Sequence, residues 1–335
     1  MINIEDKVTL PERWDELTPQ QAIDTVAVLD EFFTEEMSVG NFRLRLLQKL
    51  TGYEPDKKRL KKFSEDDLEQ VRNNLYMLSE MIRFPLRPRI VNPEVIEVLS
   101  AELQEALKTF FPFEITDPDW LDELQMVGKI LQVEPEMNMD IRKCLIPHVV
   151  IKDAAFKGPT FDIDANGVVT TDMLAGEYID AYEFFHLYMQ TRDDNYLNSF
   201  MSVLYRRIRG KYSTYEAQKR AHLFKAIPRG TKRVVMVWFQ SLLEYLAERS
   251  PFTILFKRQP RENGGMSLGI GDTIFSIAGR GYGPKTDVEH FPLQDYFSIL
   301  LRELVEAVRS MKEMDMKTNK IEEKTGLSAE IIAQI

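Results

Sequence analysis

The chain has 335 residues, a formal net charge of −10 and a pI near 5.2. Its apolar fraction of 44% and charged fraction of 29% are those of an ordinary globular protein with a sizeable core. The acidic balance argues against non-specific attachment of the whole surface to nucleic acid or anionic membrane, and a single cysteine, Cys144, excludes an internal disulfide.

The length suits one large domain or two ordinary ones. The opening stretch, Met1 to Leu17, is too acidic and polar for a signal peptide. The longest apolar run, Val234–Phe239, is far short of a membrane span. The expected compartment is therefore the cytoplasm, or a particle assembled there.

In chain order, helix signals come first. Thr18-Pro19-Gln20-Gln21 supplies an N-cap, a proline at the first helical position and a capping-box glutamine. Ala22, Val26, Leu29 and Phe33 follow at helical spacing, and Phe42, Leu46, Leu47 and Leu50 predict a second helix. Ser64 caps a third, whose Leu68, Val71, Leu75, Leu78 and Ile82 keep a 3-4-3-4 rhythm and stop before Pro85. Asn92-Pro93 predicts a fourth helix with Ile96, Leu99, Leu103, Leu107 and Phe110 inward. Asp117-Pro118 predicts a fifth with Trp120, Leu121, Leu124, Val127 and Leu131. From Pro147 the texture changes to Val149-Val150-Ile151, Gly158-Pro159 and the alternating 161–170, where Asn166-Gly167 is a hairpin signal. Helical rhythm returns with Tyr178, Ala181, Phe185 and Tyr188, then Leu197, Phe200, Met201 and Leu204. In the next helix Val235, Trp238, Leu242 and Tyr245 form one face, and Val234, Met236, Val237 and Phe239 fill the others, which marks it as central. Glycines punctuate 264–283 around a short expected helix at 268–278. A long closing helix carries Leu293, Phe297, Leu300, Leu304, Val308 and Met311, and the charged tail ends in a short Ser328-capped apolar helix. The expected fold is mainly α: a multi-helix bundle with a small β-hairpin element around residues 148–172. The expected division is a helical bundle at 1–147, a second helical region at 148–313, and a tail at 314–335.

Three features could carry chemistry. Asp162, Asp164, Asn166 and Gly167 match the early positions of a calcium loop, but Met173 stands where a bidentate glutamate is needed. A β-hairpin whose Asp and Asn favour the turn is the plainer reading, so no metal is expected. Gly269-Ile270-Gly271 lacks the third glycine of a dinucleotide fingerprint, since position 274 is Ile, and no cofactor is expected. The segment 206–233 reverses the charge of the chain, with ten bases against the single acid Glu216. Its candidate contact residues are Arg206, Arg207, Arg209, Lys211, Lys219, Arg220, Lys232 and Arg233. They fit three readings: a solvated face balanced elsewhere in the fold, a dock for an acidic protein including a second copy, or, with Tyr205, Tyr212 and Tyr215, a nucleic-acid contact. The four histidines, at 148, 186, 222 and 290, are scattered, and no Gly-x-Ser-x-Gly or phosphate-loop pattern occurs. Cys144, beside Ile141, Leu145 and Ile146, reads as a small buried hydrophobe.

Several stretches carry a family likeness. Gly176 to Phe185, Asn198 to Arg206, Lys232 to Phe239, Leu10 to Pro19 and Gly279-Arg280-Gly281-Tyr282-Gly283 together resemble uncharacterised tail-module proteins of bacteriophages and prophages, in the manner of tail-assembly chaperones. The resemblance is scattered over much of the chain, and the glycine-rich 260–283 departs from it. It implies a non-enzymatic assembly or structural role through protein–protein contact or self-association, with no catalytic residues to carry over. Two other classes stand beside it: a binding or regulatory module acting through 206–233, and an enzyme whose site is assembled from dispersed residues.

Overall fold

The computed structural model describes residues 10–35, 37–52, 62–128, 130–165, 167–207, 211–257 and 277–335. Arg209, Asn166, the glycines at 264, 265, 269 and 271, and residues 268–276 of the helix expected at 268–278 lie outside the described residues, while 277 and 278 are helical. Among the described residues the chain is mainly α-helical with three small two-stranded antiparallel sheets. It forms two compact units, residues 1–140 and 141–335. Among the described residues no helix is long and apolar enough to cross a membrane.

The first unit opens with α1 (Pro19–Thr34) and α2 (Val39–Thr51). Thr18 accepts from the Gln21 amide while the Gln21 side chain returns to the Thr18 amide, closing the capping box. Phe32 of α1 meets Phe42 of α2 at 5.0 Å between ring centroids. Trp14 is buried, donating Nε1 to the Asn138 carbonyl at 2.8 Å and standing edge-on to Phe84. Helix α3 (Glu65–Glu80) is capped by Ser64 and Asp67. Its regular stripe is only half-buried at Leu68, Val71, Leu75 and Leu78, and Ser79 is its one fully buried residue.

The single helix expected over 93–110 is broken. Residues 93–98 form a 3-10 segment, and Ser100 caps a separate short helix, α4 (Ala101–Ala106), accepting from the Leu103 amide. Asn92 does not cap. Its side chain clamps the chain near 130–132, donating to the Ile130 carbonyl and accepting from the Gln132 amide. Ser100 in turn bonds Glu123 of α5 (Pro118–Val127) at 2.8 Å. Leu99, Leu103, Leu107, Ile115 and Leu124 thereby form their own cluster.

A further strand pair was not expected here. β1 (Leu86–Ile90) and β2 (Val133–Met137) run antiparallel with Pro88 opposite Pro135. Antiparallel pairs alternate between hydrogen-bonded and non-bonded, so two prolines lose nothing when both occupy a non-bonded pair. The neighbouring bonds, Val91 amide to Gln132 carbonyl and Asn138 amide to Pro85 carbonyl, fix that alternation. On the bonded pairs Arg87 faces Glu136 at 2.6 Å and Arg89 faces Glu134 at 3.0 Å, cross-strand ion pairs that favour this register.

The second unit begins seven residues earlier than the expected 148. Ile141 exchanges backbone bonds with the Ser241 hydroxyl, and the Arg142, Ile146 and Pro147 carbonyls accept from Ile163, Tyr205 and Gly158. Two hairpins follow, β3 (His148–Ile151) with β4 (Ala154–Lys157) and β5 (Phe161–Ile163) with β6 (Val169–Thr171). The second turns at Gly167, whose φ of +78° is open to glycine. Helices α6 (Ala175–Thr191), α7 (Asp194–Leu204), α8 (Thr214–Arg220) and α9 (Arg229–Glu248) build the body. Val234 to Phe239 are all buried, so α9 is apolar on every side at that level, with Phe239 packed against Phe185 and Phe200. After α10 (Thr253–Phe256) and α11 (Lys285–Glu289), the long α12 (Leu293–Glu313) lies against the start of α6 through backbone bonds from Ala175 to Phe291 and from Leu293 to Met173.

The tail is not a separate element. α13 (Thr318–Thr325) and α14 (Ala329–Gln334) fold back so that Ile321, Leu327 and Ile332 cluster with Leu304 and Val308 of α12.

Candidate interaction surface

The seven basic candidates among the described residues do not all lie at the surface. Arg206 leaves α7 in extended backbone and pairs with Lys157 at the end of β4, amide to carbonyl in both directions at 2.8 and 3.1 Å. Its side chain turns inward. One guanidinium nitrogen lies 2.7 Å from Glu177 Oε1, another donates to the Lys211 carbonyl at 2.6 Å, and the group sits 5.6 Å from the Tyr212 ring centroid. Glu177 is wholly buried, and its other oxygen accepts from the Leu174 amide, capping α6. Arg206 is thus a keystone, and its expected role as a contact residue is corrected: a guanidinium 3% exposed cannot be reached by a partner.

One helical turn beyond Glu177, the Asp180 carboxylate accepts from the Tyr212 and Thr214 hydroxyls. His290 adds a ring nitrogen 3.0 Å from the Tyr212 carbonyl. Gly176 is needed beneath this strap, since a Cβ there would press on Tyr212 and Glu289 at 3.1–3.2 Å. Burial pushes the Asp180 carboxyl above its usual range. The Tyr212 and Thr214 hydrogen bonds oppose that rise, Glu289 adds to it and Lys285 opposes it. Burial, and then the Asp180 charge, pushes the Tyr212 phenol upward.

An acid with a raised folded pKa holds its proton more tightly when folded. Its stabilising contribution is complete below the unfolded value of 3.8 and is lost as pH climbs through the raised folded value. Asp180→Asn keeps an acceptor for both hydroxyls and removes the buried charge. We expect its melting temperature to match the wild type below that window and to exceed it at pH 7, with the gap opening in between; a constant gap at every pH would contradict the assignment.

Two other candidates also serve the interior, and a third is half-buried. Lys232 is buried, with Nζ 2.7 Å from Asn198 Oδ1, and burial lowers its pKa against the pull of Asp194. Arg220, half-buried, donates to the Ser202 carbonyl at 3.0 Å, and Arg233 is half-buried as well. Lys232 as a contact residue is corrected for the reason given for Arg206. Its place was legible, because it shares a helical row with the buried Val235 and Phe239.

Arg207, Lys211 and Lys219 are exposed, as are Lys225 and Arg229 of the same segment. The Arg207 guanidinium is held 5.4 Å over the Phe156 ring. Tyr215 stands 69% exposed on α8, one turn before Lys219. The segment thus offers exposed bases and an exposed aromatic, and Glu216 is the exposed acid within it.

The calcium-loop candidates fall in the β5–β6 hairpin. Asp162 pairs with Thr170 across the strands, and the Asp164 carboxylate accepts from the Val168 amide at 2.8 Å, closing the turn. Met173, where a twelfth ligand would stand, is fully buried. Among the described residues no group of three or more His, Cys, Asp or Glu side chains is placed to hold a metal. Cys144 is half-buried rather than buried, its thiol donating to the Ile146 carbonyl at 3.3 Å. His186 packs on Tyr182 at 4.2 Å between ring centroids, and burial lowers its pKa. No family model, no curated protein and no solved structure matches this chain.

Proposed function

We propose that the chain is a non-enzymatic assembly or structural protein that works through protein–protein contact, and that, following its resemblance to phage tail-module proteins, it serves the assembly of a phage-like particle. The observation that carries the contact reading is the distribution of exposed apolar side chains. Ten of the fourteen large hydrophobic residues that stand exposed among the described residues lie in the first unit, among them Tyr76, Met77 and Met81 around α3, and Val98, Phe113, Leu121 and Met126 further on. Single exposed apolar residues are ordinary, but a concentration beside a half-buried amphipathic stripe is how soluble proteins present a docking surface. The ionisable groups that do converge, Glu177, Arg206, Asp180 and Tyr212, are bonded to one another and to the backbone, which suits a structural role.

Cross-linking in the producing cell tests this. Lysine-reactive reagents should join Lys211, Lys219 or Lys225 to particle proteins or to further copies of the chain. Ultraviolet cross-links to nucleic acid alone, with no protein adducts, would overturn the reading and favour a nucleic-acid contact through Tyr215 and its basic neighbours.

A further inference from the structure

The charge of the chain is divided between its units. Residues 1–140 carry −13 and residues 141–335 carry +3. The extremes are local. Residues 93–127 hold nine acids against the single base Lys108, whereas 206–233 holds ten bases against one acid. Part of each set stands at the surface near uncovered apolar side chains: Glu97, Asp119 and Asp122 in the first stretch, and Arg207, Lys211, Lys219, Lys225 and Arg229 in the second. On α5 the rows Asp119, Asp122, Met126 and Pro118, Leu121, Gln125 face outward at helical spacing, and the opposite side, with Leu124, joins the cluster beneath. Glu97 and Val98 are exposed on the adjoining 3-10 segment, which Ser100 ties to α5 through Glu123. The basic segment answers with the exposed Arg207 and Lys211, and with Lys219 one helical turn from the exposed Tyr215.

We infer that the basic face of one copy docks on the acidic, apolar-studded α5 face of a second copy. The inference rests on the contact role proposed above and names its partner. Opposite potentials draw the two faces together and set their register. Tyr215 supplies an aromatic anchor, and Met126 and Leu121 supply a soft apolar counterpart for it. Because the two faces differ, the contact is heterologous: after the first contact one copy still has its acidic face free and the other its basic face, so association continues to a ring or a filament.

The test is a charge swap read by sedimentation equilibrium on the full chain after nuclease treatment. The wild type is expected to gain mass with concentration at low salt and to lose it near about 1 M salt, where screening shortens to roughly 3 Å. A basic-face variant, Arg207→Glu with Lys211→Glu and Lys219→Glu, and an acidic-face variant, Glu97→Lys with Asp122→Lys, should each be monomeric with unchanged melting temperatures. Mixed together they should associate again, because each brings one native face that the other lacks. Neutral versions, with Gln at the same positions, should weaken association at least tenfold and serve if a reversal disturbs folding. A wild type monomeric at every concentration, as for faces satisfied within one chain, overturns the inference. So does a mixture that stays monomeric, or an assembly that disappears with nuclease. If the purified chain is monomeric while cross-links to other proteins persist in the cell, this inference fails and the contact role stands.

Discussion

Arg206→Ala is expected to destabilise the second unit by roughly 3–5 kcal/mol, the usual consequence of leaving one member of a buried ion pair behind. The alanine would leave the Glu177 carboxylate, which has no solvent access, facing an empty site, and would strip the Lys211 carbonyl of its donor. Glu177→Ala should cost a similar amount, since it also removes the acceptor of the Leu174 amide. Replacing both with methionine should be milder than either single change, because no isolated charge remains. Arg207→Ala, one position along but exposed, should stay within about 0.5 kcal/mol of the wild type. Urea denaturation followed by far-ultraviolet circular dichroism gives the ranking. Equal effects at 206 and 207 would contradict the inward placement of Arg206.

The second large effect belongs to the C-terminal turn. Ile332, 1% exposed, is packed with Leu304, Val308, Ile321 and Leu327. Ile332→Ala should cost about 2–5 kcal/mol, the range for emptying a closed aliphatic site. Deleting residues 314–335 should do more, because it uncovers the whole face of α12 that bears Leu304, Val308 and Met311. The truncated chain is expected to melt earlier and to bind an apolar dye. A truncation that melts with the wild type would show that the tail is an appendage after all.

Much of the fold was legible because local and tertiary preferences agree. Thr18-Pro19, Ser64, Asp117-Pro118 and Ser328 all cap helices where the sequence placed them, and the all-round apolar character of α9 corresponds to its burial. The hairpin at Gly167 was signalled by a residue that tolerates left-handed backbone. Other elements gave no local signal. Lys152 and Asp153 make the β3–β4 turn with positive φ at both positions, and neither is glycine or asparagine. β1 and β2 each contain a proline, which argues against a strand until the partner is known to place its own proline opposite. Their Arg-Pro-Arg and Glu-Pro-Glu stretches are complementary, but 44 residues lie between them, so only the folded chain brings the pattern together. The break at Ser100 is decided by Glu123, 23 residues away.

The contact residues were legible only as a charge excess. Sequence alone placed Arg206 and Arg207 in the same class. The fold separates them, because extended backbone at 205–206 sends alternate side chains to opposite faces, one to Glu177 and the other over Phe156 toward solvent. Lys232 and Lys219 are separated by helical phase in the same way.

The most direct measurement is quantitative lysine acetylation, compared between the purified chain at high dilution and the assembly isolated from the producing cell. Lys211, Lys219 and Lys225 should react readily when the chain is dilute and become shielded in the assembly, while the buried Lys232 stays shielded in both. Equal reactivity of the three exposed lysines in both states, or ready labelling of Lys232 in the folded dilute chain, would contradict a protein that acts through this face.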